Sequence, residues 1–213
     1  MKINKDTALK VAEFLLQIKA IQLNKKEPFQ WASGWQSPIY CDNRKTLSYP
    51  KIRTFIRQKY AESIQEYFGQ ADVVAGVATG GIAQGALVAQ ELDLPFIYVR
   101  SSSKGHGLQN QIEGVVEEGQ RVVVIEDLIS TGMSSLKAVE ALREKGCQVI
   151  GMVSIFTYDF AIAKENFKKH KCKLYTLSDY NHLIEVALDS GYIKKEDVSS
   201  LKSWREDPAN WKP

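Results

Sequence analysis

Residues 121–126, RVVVIE, are the most strongly β-branched run in the chain, and they lead directly into Asp127-Leu128-Ile129-Ser130-Thr131-Gly132-Met133-Ser134-Ser135. Branching at Cβ favours an extended backbone, and a continuous apolar run leaves no face for water. The run therefore predicts a strand buried on both sides, with layers of structure above and below it. The rest of the chain can supply those layers. Residues 72–77, 96–100, 147–156 and the neighbourhood of 172–177 read as further strands. Helical patterns fall between them at about 82–92, 134–145 (ending at Gly146) and 179–188, with one more helix between the last two strands. Strands alternating with helices predict an α/β fold with a parallel sheet covered on both faces. Ahead of this core, Asp6 is placed to cap a first helix whose apolar face is Leu9, Ala12, Leu15, Leu16 and the stem of Lys19. Residues 27–45 alternate apolar and polar around Ser33-Gly34 and read as a short hairpin or extended flap. Pro50 opens a helix over about 51–68, with Ile52, Phe55, Ile56, Ile64 and Phe68 facing the core.

A chain of 213 residues is enough for one domain with its own core. We expect a single unit over 1–213: helix and flap to about 45, an α/β core over about 50–190, and a polar tail over about 191–213 that carries Trp204 and Trp211. Lys and Arg total 28 against 25 Asp and Glu, a net charge of +3, which excludes a strongly basic nucleic-acid binder and a highly charged disordered chain. No apolar run approaches the roughly 18 residues of a membrane helix, and charges scattered through the first 20 residues leave no secretory h-region. Cys41, Cys147 and Cys172 are odd in number and lack C-x-x-C spacing, so neither disulfides nor a zinc site is expected, and a cytoplasmic location is. His170 and His182 lack companions at metal-ligand spacing and read as surface residues, and 168–173 as a solvated basic helix end.

In parallel α/β sheets ligands bind at the carboxyl ends of strands, which directs attention to 78–81, 100–107 and 126–135. In the last of these, two acids stand where a buried strand gives way to hydroxyls, a glycine and a helix start. Backbone N–H groups there, with the hydroxyls of Ser130, Thr131, Ser134 and Ser135, make a phosphate cradle, and Gly132 permits close approach. Glu126 and Asp127 would repel the phosphate itself and suit ribose hydroxyls or a neighbouring magnesium ion. An ordinary capped helix needs one hydroxyl and leaves the paired acids unexplained. The segment is neither a Walker A loop nor a G-x-G-x-x-G dinucleotide loop. Residues 101–111 are polar and glycine-rich, and Arg100, Lys104 and His106 offer donors suited to diphosphate. Gly80-Gly81 forms a strand-to-helix turn whose backbone can join them.

The 122–135 segment resembles the phosphoribosyl diphosphate (PRPP) motif of type I phosphoribosyltransferases. Arg100-Ser101-Ser102-Ser103-Lys104-Gly105-His106-Gly107, with Ile112-Glu113-Gly114 after it, resembles the mobile catalytic loop of the orotate phosphoribosyltransferase family. Residues 33–44, SGWQSPIYCDNR, resemble that family's base-covering flap. The resemblance spans about 9–190 with the segments in order. It implies a type I phosphoribosyltransferase-like parallel sheet flanked by helices, and transfer of phosphoribosyl from PRPP to orotate. It implies PRPP binding by Arg100, Lys104, His106, Glu126, Asp127, Leu128, Ile129, Ser130, Thr131, Gly132, Met133 and Ser134, with Lys104, His106 and Asp127 catalytic. Orotate would meet Ser130 and Tyr40. Mg²⁺ would be held mainly by the diphosphate, with no direct protein ligand. A homodimer sharing loop 101–111 across its interface is also implied, without nucleic acid or membrane partners. The pattern departs from that of some members at three places: Ser101 follows the loop arginine, Ala32 stands where a lysine occurs, and Phe156, Thr157 and Tyr158 stand where an arginine reaches the orotate carboxylate. Rival readings are a purine or uracil phosphoribosyltransferase, and a PRPP-sensing regulator that binds nucleic acid.

Overall fold

The computed structural model describes residues 3–31, 34–100 and 111–212. Helix α1 (Lys5–Gln17) is capped by Asn4, whose side chain accepts from the Thr7 N–H at 3.0 Å. The expected cap, Asp6, lies inside the first turn instead, where its charge faces the positive end of the helix dipole. Ala8, Val11, Ala12, Leu15 and Leu16 form the buried stripe. Leu9 is half-buried, and Lys19 is exposed in a left-handed turn after the helix (φ 53°), off the predicted face.

The flap is two short antiparallel ladders rather than one hairpin. Strand β1 (Ile21–Leu23) pairs with β4 (Ile39–Cys41), and β2 (Phe29–Gln30) with β3 (Gln36–Ser37). A 3₁₀ turn, Asn43–Ser48, leads to α2 (Pro50–Tyr67), which Pro50 opens as expected. Ile52, Ile56 and Ile64 are buried together with Tyr60, while Phe55 and Phe68 are half-buried at the margin.

The core follows in alternation: β5 (Val73–Val77), α3 (Gly80–Leu92), β6 (Phe96–Val99), β7 (Ile112–Glu113), β8 (Arg121–Ile129), α4 (Met133–Glu144), β9 (Gln148–Thr157), α5 (Ala161–Lys169), β10 (Leu174–Asp179) and α6 (Tyr180–Asp189). The six strands run in the order β10-β9-β8-β5-β6-β7; all pairs are parallel except the edge pair β6–β7. Val122, Val123, Val124 and Ile125 are fully buried, as a strand covered on both faces requires. Strand β8 continues three residues beyond the predicted end. Residues 126–129 keep pairing with β9 (Glu126 with Ser154, Leu128 with Phe156, Ile129 with Thr157), whereas β5 stops at Val77. The two acids therefore sit in the last, one-sided stretch of a strand.

The tail is structured. Helix α7 (Val198–Glu206) buries Leu201 and Trp204, and the Trp211 indole donates to the Ser200 carbonyl at 3.1 Å. The two histidines are also less exposed than expected: His170 pairs with Glu140 at 3.1 Å, and His182 with Asp179 at 2.8 Å. Cys147 and Cys172 are buried free thiols, and Cys41 is half-buried. Among the described residues no helix is long and apolar enough to cross a membrane.

Candidate active site

Successive residues on a strand face opposite ways. Glu126 and Asp127 therefore enter different surroundings although they are neighbours in sequence. Glu126 turns inward and is almost fully buried. One carboxylate oxygen accepts the Ser135 hydroxyl at 2.7 Å, and the other accepts the Asp127 N–H at 2.9 Å. It thus ties the strand end to the first turn of α4 and fixes the span of the loop between them. Ser135, expected to serve the phosphate cradle, is committed to this bond and buried.

Asp127 is half-buried and lies against Gly80 at the start of α3. A Cβ at Gly80 would overlap the Asp127 carboxylate, so the Gly-Gly turn is needed for the acid to occupy this position. Because β5 has ended, the carbonyls of both acids lack ladder partners on that side, and buried backbone groups must be satisfied elsewhere. Tyr60 donates its hydroxyl to the Glu126 carbonyl at 2.5 Å, and Asn43 donates its amide to the Asp127 carbonyl at 2.7 Å. Neither residue was singled out from sequence. Their partners lie 66 and 84 positions away, with no local pattern to mark them.

The loop that follows begins with Ser130 and Thr131, both half-buried. The Thr131 carbonyl accepts from Asn166 of α5 at 2.9 Å. Gly132 has φ +80°, and a Cβ there would meet Phe167, so glycine is required. Met133 and Ser134 are exposed at the N-terminus of α4, where free backbone N–H groups favour an anion. Leu128 is half-buried and Ile129 fully buried; the Ile129 carbonyl accepts from Tyr158 N–H at 3.2 Å and Thr157 Oγ1 at 3.3 Å. A cleft lined by Ala78, Val99, Arg100, Gln111, Ser134 and Lys137 brings the ends of β5 and β6 against the first turns of α4. Arg100 is half-buried, 3.4 Å from Glu113. Lys104 and His106 lie outside the described residues, as do Ser101, Ala32 and Ser33.

Among the flap's contacts with this edge, two stand out. Asn43 is one. Trp31 is the other: its indole donates to the Ile39 carbonyl at 3.1 Å, and its ring packs 5.1 Å from Tyr158 and 5.5 Å from Trp204. Tyr40, expected to meet orotate, is exposed on β4 and packs 5.6 Å from Phe29. At the end of β9, Phe156, Thr157 and Tyr158 are all buried, with Tyr158 inside an aromatic cluster completed by Phe160, Tyr180 and Trp204.

Burial dominates the electrostatics. Loss of solvent raises the Glu126 carboxyl well above its ordinary range, and the neighbouring Asp127 charge adds to this. Asp127 is also raised, chiefly by burial, while its hydrogen bond with Glu126 and the positive charge of Arg44 oppose the rise. Burial pushes up the Cys41 thiol and Tyr60 hydroxyl, with nearby acid charges adding to it, and pushes up the Tyr158 hydroxyl, with Cys41 and then Asp127 adding to it. Ionising either of them beside Asp127 is disfavoured, so they act as neutral hydrogen-bonding groups.

The family model for the phosphoribosyl transferase domain matches residues 45–190. An orotate phosphoribosyltransferase of Phocaeicola vulgatus is 61% identical over 200 residues, 94% of each chain. That of Listeria monocytogenes serotype 4b is 57% identical over 201 residues, 94% of this chain and 96% of the relative. The chain belongs to the orotate phosphoribosyltransferase family. The fold agrees: the orotate phosphoribosyltransferase of Aeropyrum pernix superposes with a TM-score of 0.75 at 29% identity, covering 86% of this chain and 99% of that one. The adenine phosphoribosyltransferase of Leishmania donovani also superposes, with a TM-score of 0.62 at 19% identity over 84% of this chain and 83% of its own. The fold alone therefore leaves the base open, and family membership rests on the sequence identity.

Proposed function

We propose that the chain transfers the 5-phosphoribosyl group from PRPP to orotate, giving orotidine 5′-phosphate and diphosphate, a step in making UMP. One observation carries the chemistry: Asp127 is held at the mouth of a phosphate-binding loop by a glycine that leaves it room and a partner acid that fixes the loop. The 5′-phosphate sits on residues 128–134, and its binding energy orients carbon 1 of the ribose. Asp127 holds the ribose hydroxyls, and its charge tolerates the positive charge that develops on the ring as diphosphate leaves. Glu126, with both oxygens engaged inside the protein, serves chiefly to position Asp127 and α4. Arg100, with Lys104 and His106, neutralises the departing diphosphate. The base nitrogen bonds to carbon 1 as the carbon–oxygen bond breaks; the bonding pair and the proton lost by the base leave with diphosphate.

Among the described residues no three His, Cys, Asp or Glu side chains converge as a metal cage, and Glu126 has no free oxygen. In this reading Mg²⁺ would be carried mainly on the diphosphate oxygens, with no direct protein ligand. When bound, the ion supplies charge neutralisation to the leaving group. Closure of loop 101–111 would exclude water from PRPP. The reading includes a cytoplasmic location, supported by three cysteines that are all free thiols, and a homodimer in which that loop reaches the partner's site. Mixing inactive Lys104→Ala and Asp127→Ala chains should restore one working site per heterodimer; no recovery after verified subunit exchange would place the loop's action within one chain.

The reaction is tested by diphosphate release from PRPP and Mg²⁺ with orotate, uracil, hypoxanthine and adenine. Orotate should be preferred by orders of magnitude in kcat/KM, since donors set for its carboxylate are left unpaired by uracil. Equal rates with uracil or a purine would overturn the substrate and leave phosphoribosyl transfer standing.

A further inference from the structure

Orotate is an anion, and the edge of the site nearest the flap carries the carboxyl groups of Asp42 and Asp127. A facing cation would favour an anionic base there. The end of β9 offers none, since Phe156, Thr157 and Tyr158 are closed into the core. Three cations near the flap are turned elsewhere: Lys45 to the Lys19 carbonyl at 3.0 Å, Lys25 to Asp197 at 3.4 Å and Arg53 to the Leu47 carbonyl at 2.9 Å.

Arg44 is different. It stands in the 3₁₀ turn between two buried, pinned residues. Asn43 is bonded to the Asp127 carbonyl at 2.7 Å, and Thr46 accepts from Gln84 of α3 at 3.1 Å. The turn is thereby fixed against the strand end that carries the acids. Arg44 itself is exposed, and its Nε donates to Asp42 at 2.7 Å. That single bond orients the guanidinium, while its Nη atoms have no hydrogen-bond partner among the described residues. An arginine held by Nε and open at the Nη edge can still bind a carboxylate. We propose that Arg44 is a specificity-determining residue which receives the carboxylate of the base, in place of the guanidinium absent at the end of β9. Its charge already acts on Asp127, opposing the rise that burial imposes there, which puts it within electrostatic reach of the site. Asp42 then has a positioning role, through its bond to Arg44.

The inference rests on orotate being the base, and the experiment separates the two. The wild type is first assayed with orotate and PRPP; inactivity with orotate overturns the substrate reading and this inference together. Given activity, Arg44→Gln should raise KM for orotate at least tenfold, leave KM for PRPP within twofold, and leave inhibition by uracil unchanged, because uracil has no carboxylate to lose. Arg44→Lys should recover part of the loss by restoring the charge without the fork. The side chain is exposed, so both variants should unfold at the wild-type temperature. An unchanged orotate KM, or equal shifts for orotate and PRPP, would overturn the role of Arg44 while leaving the reaction intact.

Discussion

The β8–α4 junction and the flap are built in opposite ways. At the junction the carboxylate bonds are local: Glu126 reaches the next residue's N–H and a serine nine positions on, while Tyr60 and Asn166 reach only backbone carbonyls from farther away. In the flap they are remote: Asn43 reaches across 84 positions to Asp127, and Trp31 packs on Tyr158 and Trp204. A locally closed loop keeps its shape while the rest of the molecule moves. A flap held by long-range aromatic contacts depends on the core beneath it. Under the proposed function, the phosphoribosyl half of the reaction falls to the junction and the base half to a flap whose contacts come from three parts of the chain.

The largest expected effect falls on the flap's foundation. Trp204 is fully buried against Trp31, Tyr158, Phe160 and Tyr180. Trp204→Ala should cost about 3–5 kcal/mol of stability through the cavity it leaves, measured by denaturant unfolding. Trp204→Phe should cost far less, since the buried indole N–H has no partner to lose. Equal losses would show that the indole makes a bond the aromatic packing does not explain.

Next comes the junction's chemistry. Asp127→Asn should lower kcat/KM at least tenfold, about 1.4 kcal/mol or more of transition-state stabilisation, with unfolding little changed. The same variant sharpens the electrostatics. A carboxyl raised by burial must ionise to accept ribose hydroxyls, so the acid limb of kcat/KM for PRPP should lie above the ordinary aspartate value of about 3.9. Asn at position 127 should flatten that limb. A limb unchanged by the substitution would assign it to another group.

The smallest effect is expected at Glu126. A carboxyl whose folded value is raised binds its proton more tightly in the folded state, so its contribution to stability falls as pH rises from the ordinary glutamate range through the raised value. Glu126→Gln keeps an acceptor for Asp127 N–H and a group able to pair with Ser135. It should therefore unfold at an equal or higher temperature than wild type at pH 7, with the difference vanishing in acid. A lower melting temperature at pH 7 would mean that the buried charge itself holds the junction.

The same contrast decides what the sequence reveals. The alternation of strands and helices, the buried 122–125 run and the loop around Gly132 are legible because periodicity and local chemistry are one-dimensional signals. The extension of β8 to Ile129 is not, because it comes from pairing with β9 after β5 has ended. Asn4 displaced Asp6 as the cap because either residue could fill that role and the first buried turn set the register. The tail's amphipathic helix was hidden by its polar composition, and Tyr60 and Asn43 by the distance to their partners. Glu126 and Asp127 read as an equivalent pair in sequence; strand alternation separates them.

The division between the two regions is tested most directly by measuring KM for both substrates in one variant of each. Thr131→Ala removes a hydroxyl from the phosphate loop, and Trp31→Leu loosens the flap. The account predicts that Thr131→Ala raises KM for PRPP several-fold with KM for orotate within twofold, and that Trp31→Leu does the reverse. Both variants shifting the same substrate, or each shifting both equally, would contradict it.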